Sequence, residues 1–339
     1  MNKKHSVFIL IAVIVLISAV ILGAGPVRKY FKEKDSYSEN GFYMNTFVTA
    51  DITGEFCKET AEAVMANIKM LDELCFSKTA EGSDVFNLNL NGKYELSDVT
   101  LNTFVTALDI CKNSNGALDI GIGALVDLWN INQGASKPPL KNDLLPLTGN
   151  KYEYISINGS EVSLDNGALI DLGAVGKGAA CDSVKNIVEM SGVKRAVVSI
   201  GGSIFLYGEG GFTVGIASPE KGSSDYIATI ATENGFISTS GTYERFFDYN
   251  GIRYHHILNP KTGYPVQNGL ASVTIVSDSG ILSDALSTAC FVMGKEEGKK
   301  LAEKYGCQAV FVTDDKIIYT TDGIKKQLTV TDGSYTLAD

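Results

Sequence analysis

The chain has 339 residues, enough for one large domain or two smaller ones and for a sizeable buried core. Its formal net charge of −10 at pH 7 argues against a protein that binds the phosphate backbone of nucleic acids, so no nucleic-acid partner is expected. The 35 glycines and 7 prolines indicate many turns and close backbone approaches, and not a disordered chain.

A long apolar segment lies near the N-terminus. After the basic start MNKKHS, residues 7–25 carry no charged side chain, and this length suits a membrane-spanning helix. A cleaved secretory signal would have a shorter apolar core, and Pro26 directly follows the best small-residue cleavage motif. We therefore predict an uncleaved membrane anchor over residues 1–25 and a polar stalk over residues 26–40. Basic residues on both sides of the apolar segment leave its orientation open.

Regular patterns of strands and helices begin near Gly41. Apolar periodicity predicts helices over residues 57–76, 98–116, 176–192 and 295–306, and a strand, a turn and a helix in that order within residues 272–294. Alternation and turn signals predict strands within residues 42–52, 153–173, 195–208, 212–218, 226–247, 252–258, 272–277 and 308–323. Because strands and helices mix without strict alternation, we predict an α+β fold with mixed or antiparallel sheets packed against helices. The catalytic domain is expected to span residues 41–339, after the N-terminal membrane helix.

The six cysteines show no spacing typical of a metal site. Several lie in apolar helical patterns, as in DALSTACFVMG, which favours buried free thiols. Disulfide bonds are the alternative.

The stretch LIDLGAVGKGAACDS predicts a strand, a glycine-rich turn and a helix. Gly173, Gly176 and Gly178 allow the backbone to approach a ligand, and the start of a helix offers N–H groups to an anion. Lys177 adds a positive charge. The stretch is not a phosphate-binding P-loop. Asp171 occupies the position of that motif's first glycine, and Gly178 follows the lysine where the motif requires Ser or Thr. The alternative is an ordinary tight turn.

The stretch SDSGILSDALSTA places Asp284 and Thr288 one helical turn apart. A carboxylate and a hydroxyl are hard oxygen ligands that suit Mg²⁺ holding a phosphate. The alternative is that such side chains cap the start of a helix. Similarly, NSNGALDIGIGALVDLWN could place Asp119 at a site, or form a buried strand and turn against Trp129.

Two of the three histidines, His255 and His256, are adjacent in YHHILNPKTGYPV. Neighbouring residues of a strand point to opposite faces, so at most one of them faces a given site. The alternative for each is a packed or surface histidine.

Taken together, these motifs resemble the ApbE family of flavin transferases, the FAD:protein FMN transferases. The motifs run in family order from about residue 42 to residue 290, and are YMNTF, CFSKTAEGSDVFNLN, GALDIGIGALVDLW, DLGAVGKGAACD, SIGGSIFLYG, STSGTYERFF, YHHILNPKTGYPV and SDALSTA. The resemblance implies an ApbE-like fold and an enzyme that binds FAD and Mg²⁺. Such an enzyme transfers FMN to a Thr or Ser hydroxyl of a target protein through a phosphodiester bond and releases AMP.

The family's functional residues transfer to this chain by position. The resemblance implies that the FAD site is lined by Met44, Phe76, Ala117, Leu118, Asp119, Asp171, Lys177 and Leu258. It also implies that the metal is held by the carbonyls of Ala174 and Ser287 and by the side chains of Asp284 and Thr288.

The chain departs from the family pattern at four positions. Leu118 and Gly121 stand where Phe and Thr are usual, Ser203 where Asp or Asn is usual, and Asn45 where Gly is usual. None of these departures changes an expected metal ligand.

The acceptor hydroxyl has a high pKa, so its attack on phosphorus requires a base near neutrality, which histidine can supply. We predict that His256 is this base, that His255 packs or positions the loop, and that Asp284 is the next candidate. Mg²⁺, Lys177 and helix-end N–H groups would neutralise the pyrophosphate.

The family is largely extracytoplasmic, which implies a single-pass membrane protein with its catalytic domain outside the cytoplasm. The implied partners are target flavoproteins, namely subunits of membrane redox pumps or extracellular electron-transfer proteins. Two alternatives stay open, a Mg²⁺-dependent FAD pyrophosphatase and a non-catalytic, membrane-anchored flavin-binding protein.

Overall fold

The computed structural model describes residues 36–220 and 225–338. The helices of this part of the chain are α1 (Cys57–Leu71), α2 (Asp84–Asn91), α3 (Asp98–Asn113), α4 (Gly123–Trp129), α5 (Lys141–Leu144), α6 (Gly176–Ser191), α7 (Gly280–Met293) and α8 (Lys295–Lys304). Helix α1 continues into a π-helical turn, Asp72–Phe76, and short 3₁₀ turns cover Ile131–Gln133, Leu145–Leu147 and Lys151–Tyr154.

Short strands make up much of the remaining described chain. They are β1 (Ser36–Tyr43), β2 (Thr46–Thr53), β3 (Lys93–Glu95), β4 (Ile155–Asn158), β5 (Glu161–Leu164), β6 (Arg195–Ile200), β7 (Ser203–Gly208), β8 (Phe212–Ala217), β9 (Tyr226–Thr232), β10 (Gly235–Gly241), β11 (Phe246–Tyr249), β12 (Ile252–His255), β13 (Leu270–Ser277), β14 (Gln308–Thr313), β15 (Ile317–Thr320), β16 (Leu328–Val330) and β17 (Thr336–Leu337).

Within the described residues, nine strands form one sheet in the order β1-β2-β6-β7-β10-β13-β14-β15-β17. Its pairs are antiparallel except for β15 with β17. Helices α1, α6, α7 and α8 cover one face, and the three-stranded sheet β16-β9-β8 packs on the other. Strand β14 shows why both faces are dry: Phe311 faces the helices, whereas Val310 and Val312 face the small sheet. The predicted α+β class is confirmed.

The amino ends of α6 and α7 meet backbone to backbone at two glycines. A Cβ atom added at Gly178 would lie 2.6 Å from the carbonyl carbon of Gly280 and 2.7 Å from the Cβ of Asp284. A Cβ added at Gly280 would lie 3.1 Å from the carbonyl carbon of Gly178. Only glycine permits this approach, and it brings the start of α6 against the first turns of α7.

Several predicted elements differ in the structure. Residues 42–52, expected as one strand, form a hairpin whose turn residues Met44 and Asn45 have φ angles of 52° and 57°. No glycine marks this left-handed turn, so the sequence pattern gave no signal for it. The segment that ends at Trp129, expected as a strand and turn, is helix α4.

The predicted membrane anchor, residues 1–25, lies outside the described residues. Strand β1 begins at Ser36, so the last five residues of the predicted stalk pair with β2. They appeared polar because one face of this edge strand is exposed. None of the described helices has both the length and the apolar character needed to cross a membrane. All six cysteines are buried and unpaired, as the sequence favoured.

Candidate functional site

Asp284 is a buried carboxylate at the junction of α6 and α7. It is 3% exposed, and its Oδ2 accepts a hydrogen bond of 2.9 Å from the backbone N–H of Gly178. Its Oδ1 lies 3.3 Å from Lys177 Nζ and accepts a hydrogen bond of 3.2 Å from the Ser203 hydroxyl. A buried charge requires such partners. The close contact of the two helices at Gly178 and Gly280 brings the Gly178 N–H within hydrogen-bond distance of Asp284.

The start of α7 is capped by other residues. Ser279 Oγ accepts from the N–H of Leu282, and the Asp182 carboxylate accepts from Gly280 N and Ile281 N at 2.7 and 2.8 Å. These two groups satisfy backbone donors of the first turn. Asp284 therefore does not cap its own helix, α7, but it does accept from Gly178 N–H in the first turn of α6, so the capping alternative holds in part.

A row of hydroxyl groups joins strand β10 to α7 beside Asp284. Residues 238 and 240 share a face of the strand, and residues 283 and 287 share a face of the helix, so the two hydroxyl pairs meet. The hydrogen bonds join Ser238 to Ser203 at 3.1 Å, Ser238 to Ser283 at 2.8 Å, Ser240 to Ser287 at 2.8 Å and Ser240 to Thr288 at 3.1 Å. Ser287 also donates to the carbonyl of Asp284 at 2.8 Å.

The residues predicted to hold a metal have suitable chemistry for Mg²⁺. Asp284, Ser287 and Thr288 lie on consecutive turns of α7, and Ala174 lies in the turn before α6. All the donors are oxygens, and only one is charged. Among the described residues, no three His, Cys, Asp or Glu side chains are grouped closely enough to form a metal centre. A hard cation at Asp284 would thus rely on one carboxylate and neutral oxygens, as Mg²⁺ does when it keeps its waters and substrate phosphates.

Lys177 is held over the glycine-rich turn. Its ammonium donates to the carbonyl of Gly173 at 3.0 Å while it pairs with Asp284. The sequence predicted free N–H groups at the start of α6 for an anion, but two of these are already used. Gly176 N–H donates to Leu172 O at 2.7 Å, and Gly178 N–H donates to Asp284. The positive charge at this turn is therefore chiefly the Lys177 ammonium.

Met44 and Phe76 converge on the start of α6. A Cβ added at Gly176 would lie 3.3 Å from Met44 Cε and 3.8 Å from Phe76 Cδ2. The hairpin turn that carries Met44 is held from two sides. Met44 N–H donates to Asp72 Oδ2 at 2.7 Å, and the carbonyl of Asn45 accepts from the Arg245 guanidinium at 2.6 Å. These bonds offset the cost of a left-handed methionine, which is on the order of 1 kcal/mol.

Asp171 belongs to a three-residue ion cluster. Lys78 Nζ lies 2.8 Å from Asp171 Oδ2 and 2.5 Å from Asp127 Oδ1. Burial opposes the charged form of Lys78, but the two carboxylates outweigh it and raise its pKa. The other oxygen of Asp171 accepts from Gly173 N–H at 2.9 Å, so this carboxylate also fixes the turn before Lys177. No motif in the sequence marks Lys78 as a site residue.

The side chains of residues 117–119 serve mainly to stabilise the fold. Asp119 is buried and accepts from Gly121 N–H at 2.8 Å and from Tyr152 N–H at 3.1 Å. Burial raises its pKa to about 6, against the effect of these hydrogen bonds. The Leu118 side chain is 2% exposed and belongs to the main core, which leaves its backbone to meet a ligand. Ala117 is partly exposed.

His255 is a packed residue. It is 1% exposed, its Nε2 donates to the carbonyl of Val266 at 2.7 Å, and its Nδ1 accepts from Ile257 N–H at 3.3 Å. Its ring lies edge-on to Phe291, with centroids 5.8 Å apart. Burial lowers its pKa. With both nitrogens engaged, His255 has no free nitrogen to accept a proton.

His256 has a different environment. It is partly exposed, yet its Nδ1 is buried and has no hydrogen-bond partner. Burial, followed by the positive charges of Arg245 and Lys177, lowers its pKa to about 3. The ring is therefore neutral at pH 7 and within the electrostatic reach of Lys177. Its surroundings differ from those of His255, as predicted, although β12 ends at His255 and His256 lies just beyond the strand.

Glu244 and Arg245 are site residues that the sequence analysis missed. The Glu244 side chain reaches solvent, but desolvation by the surrounding protein raises its pKa, against the pull of Lys177 and Arg245. A Cβ added at Gly202 would lie 3.1 Å from Glu244 Oε1, so this carboxylate lies over the β6–β7 turn. The only signal in the sequence was an adjacent acid and base within STSGTYERFF.

Leu258 lies in a separate apolar cluster with Leu125, Trp129 and Leu144. Trp129 is 1% exposed, and its Nε1 donates to the carbonyl of Gly263 at 2.6 Å. Helix α4 carries both Trp129 and Asp127, so it links this cluster to the Lys78 ion cluster. The structure thus brings Met44, Phe76, Lys177 and Asp284 together at the start of α6. His256 is tied to the Met44 turn through Arg245, whose carbonyl accepts from His256 N–H and whose guanidinium donates to Asn45. Asp119 and Leu258 make their contacts elsewhere, with the backbone of Gly121 and Tyr152 and with the Trp129 cluster.

Comparison with known proteins identifies the family. The model of the ApbE family matches residues 44–311. A FAD:protein FMN transferase from Klebsiella pneumoniae (strain 342) is 31% identical over 290 residues, which cover 82% of this chain and 90% of that protein. A FAD:protein FMN transferase from Treponema pallidum (strain Nichols) is 32% identical over 253 residues, which cover 68% of this chain and 70% of that protein.

A solved structure shows the same fold. The crystal structure of the ApbE protein from Thermotoga maritima has a TM-score of 0.79 and 29% identity, and the match covers 86% of this chain and 99% of that one. The predicted ApbE-like fold is therefore confirmed. Because the family model matches residues 44–311, well over half of the 339 residues, this chain belongs to the ApbE family.

Proposed function

We propose that this chain is a FAD:protein FMN transferase, an enzyme that moves FMN from FAD to a hydroxyl group of a target protein. The observation that carries the proposal is the arrangement around Asp284. One buried carboxylate is held between an ammonium and a backbone N–H, close to a neutral histidine with an unpartnered nitrogen. Curated relatives from two organisms carry the name of this activity.

The charges of the site suit a pyrophosphate. FAD brings about two negative charges, which must be neutralised before an oxygen can attack phosphorus. Lys177 supplies one positive charge at the start of α6. Asp284 and Thr288, with the carbonyls of Ala174 and Ser287, would hold Mg²⁺. When bound, this cation would supply further positive charge at the phosphates.

The apolar residues of the site suit the rings of FAD. Met44 and Phe76 present apolar atoms over Gly176, and Leu258, which packs in the Trp129 cluster, is a further residue that the family pattern assigns to FAD. Flat aromatic ligands bind against such surfaces. The Asp72 and Arg245 contacts hold the Met44 turn in place before a ligand arrives, which lowers the entropy cost of binding.

We assign the general base to His256. The neutral ring takes the proton of the acceptor Thr or Ser hydroxyl as that oxygen forms a bond to the FMN phosphorus. The bond from this phosphorus to the bridging oxygen breaks, and AMP leaves with the electron pair. The low pKa of His256 reflects burial and positive neighbours, so the negative pyrophosphate would raise it towards the useful range. His255 acts as a positioning residue, and Asp284 is the next candidate for the base.

We also propose a single-pass membrane location, with the catalytic domain outside the cytoplasm. The apolar residues 7–25 and the largely extracytoplasmic nature of the family support this. The proposed targets are flavoproteins with an acceptor Thr or Ser, either subunits of membrane redox pumps or extracellular electron-transfer proteins.

The test uses the full chain, purified in detergent, with FAD, Mg²⁺ and candidate acceptor proteins. A fluorescent acceptor band on a denaturing gel, together with one AMP per flavin transferred, supports the proposal. Free FMN and AMP in equal amounts, without a labelled band, would instead identify a FAD pyrophosphatase. Tight FAD binding without any product would identify a flavin-binding protein.

A further inference from the structure

Two exposed phenylalanines lie at the tip of the β1–β2 hairpin. Phe42 is 60% exposed and Phe47 is 77% exposed. They are direct cross-strand partners, and their rings meet edge to face with centroids 5.4 Å apart. The contact between the rings stabilises the hairpin modestly, by about 0.2–1 kcal/mol. It does not explain why large apolar surfaces face solvent.

The rest of the same hairpin face is polar. Going away from the tip, the outward positions of β1 and β2 are occupied by Asn40, Ser38 and Ser36, and by Thr49, Asp51 and Thr53. The core of the sheet is built from the opposite face of β2, through Val48, Ala50 and Ile52. A polar pair at the tip would therefore fold as well, and the aromatic pair is an exception that points to a binding function.

The pair lies at the rim of the proposed flavin site. Phe42 precedes Met44 by two residues, or about 7 Å along a strand. Met44 packs over Gly176, and the next residue of its turn, Asn45, accepts a hydrogen bond from the Arg245 guanidinium. The carbonyl of Arg245 in turn accepts from the backbone N–H of His256. The turn therefore links the exposed aromatic pair to the residues that we assign to the flavin and to the acceptor hydroxyl.

We propose that Phe42 and Phe47 form the docking surface for the acceptor polypeptide, and that they bind an apolar side chain a few residues away from the acceptor Thr or Ser. This inference rests on the proposed transferase function. Under that function FAD would occupy the site at the start of α6, so a protein substrate would derive much of its affinity from the rim. Exposed aromatic residues are the side chains that most often supply such affinity.

The geometry favours a polypeptide over the lipid bilayer as the occupant. Residues 1–35, with the predicted anchor, join the described chain at Ser36. Phe42 lies at the other end of β1, which is eight residues long, or about 25 Å. The aromatic tip thus points away from the place where the chain leaves for the anchor, and towards the site.

The experiment measures which sequences the full-length enzyme modifies. A library of 15-residue peptides, each with one central Thr and randomised flanks without Ser or Tyr, is incubated with enzyme, FAD and Mg²⁺, and the fluorescent peptides are sequenced. The variant is F42S/F47S, and the matched control is L90S/M190S, which removes two apolar side chains that are 69% and 73% exposed on helices α2 and α6.

For the wild type and the control we expect enrichment of Leu, Ile, Val or Phe at a fixed distance from the Thr. In F42S/F47S we expect this enrichment to disappear, and kcat/KM for the best peptide to fall at least about tenfold, mainly through KM. FAD affinity, measured by isothermal titration, should be unchanged. A wild-type consensus without an apolar position, or one that persists in F42S/F47S, overturns the docking inference alone.

Other outcomes would give the Phe42–Phe47 pair a different role or refute the docking inference. Loss of activity in F42S/F47S only after reconstitution into phosphatidylglycerol and phosphatidylethanolamine vesicles would assign the pair to the bilayer. A change from dimer to monomer with unchanged peptide kinetics would assign it to self-association. If the wild type binds FAD and releases AMP but labels no peptide or acceptor protein, the transferase function itself fails, and the docking inference with it.

Discussion

The contact between Gly178 and Gly280 leads to a sharp prediction for Gly178→Ala. The added Cβ would lie 2.6 Å from the Gly280 carbonyl carbon and 2.7 Å from the Asp284 Cβ. Because ordinary van der Waals contacts of this kind need about 3.5 Å, α6 and α7 must separate by roughly 1 Å. The hydrogen bond from Gly178 N to Asp284, now 2.9 Å, would then exceed hydrogen-bond range.

Two costs add in this variant. Overpacking a tight contact costs about 1–3 kcal/mol. Loss of a hydrogen bond by a buried carboxylate costs about 1–3 kcal/mol more. We expect Gly178→Ala to lower the free energy of unfolding by roughly 2–6 kcal/mol. Because Asp284 and Lys177 move with the helices, FMN transfer should fall by at least about 10²-fold in the folded enzyme, as is usual for a 1 Å misplacement.

The assay pairs chemical denaturation with single-turnover transfer at a temperature where the variant is folded. Gly298→Ala is the matched control. Its Cβ would lie 2.9 Å from Cys290 O and 3.0 Å from the Phe311 ring, at the start of α8 and away from Asp284. The control should lose stability but keep its transfer rate. Equal losses of activity in the two variants, or wild-type activity in Gly178→Ala, would refute the role given to this helix junction.

Four further predictions concern the charge of Asp284, the catalytic roles of the two histidines, the pH dependence of stability and the N-terminus. Asp284→Ala should lower transfer by about 10²–10³-fold, measured at low Mg²⁺, since it removes the charged ligand and leaves Lys177 unpaired; near wild-type activity would contradict the metal assignment. His256→Ala should lower transfer by roughly 10²–10⁴-fold with little change in FAD affinity, whereas His255→Ala should mainly lower stability, and a large catalytic loss only in His255→Ala would invert the two roles. The pKa of His256 is about 3 in the folded chain and 6.5 in the unfolded chain, so below pH 6.5 the unfolded state binds a proton that the folded state does not. The stability present above pH 6.5 is therefore lost as the pH falls towards 3, by at most about 1.4 kcal/mol per pH unit. In His256→Ala the free energy of unfolding, measured by denaturation, should fall less steeply over this pH window. Deletion of residues 1–35 should give an active protein that needs no detergent, and a folded product unable to bind FAD would refute this domain boundary.

The sequence predicted those features that depend on local pattern. Helix α6 has regular apolar spacing and a glycine at its start, so its bounds were nearly correct, and the helix predicted after the strand and turn within residues 272–294 is α7. The two adjacent histidines were expected to differ in environment, and the structure has His255 packed at the end of β12 and His256 just beyond it with a buried, unpartnered Nδ1. Such features need only the periods of helix and strand.

Features that depend on tertiary contact were not predictable in this way. The Met44–Asn45 turn has no glycine and depends on Asp72 and Arg245, which are distant in sequence. The start of α6 has free N–H groups in isolation, and it loses one of them to Asp284 only because α7 packs there. Lys78 could not be identified as a site residue before Asp127 and Asp171 were seen to surround it.

The position of the single tryptophan gives this enzyme a built-in optical signal. Trp129 is shielded from water, hydrogen-bonded to Gly263, and packed in the same cluster as Leu258. Its emission should therefore change little with solvent, but indole emission overlaps flavin absorption, so a flavin bound beside Leu258 would quench it by energy transfer. Because a transferred flavin departs with its target, the quenched signal should recover at each turnover. Binding and release could then be followed in real time without any added label.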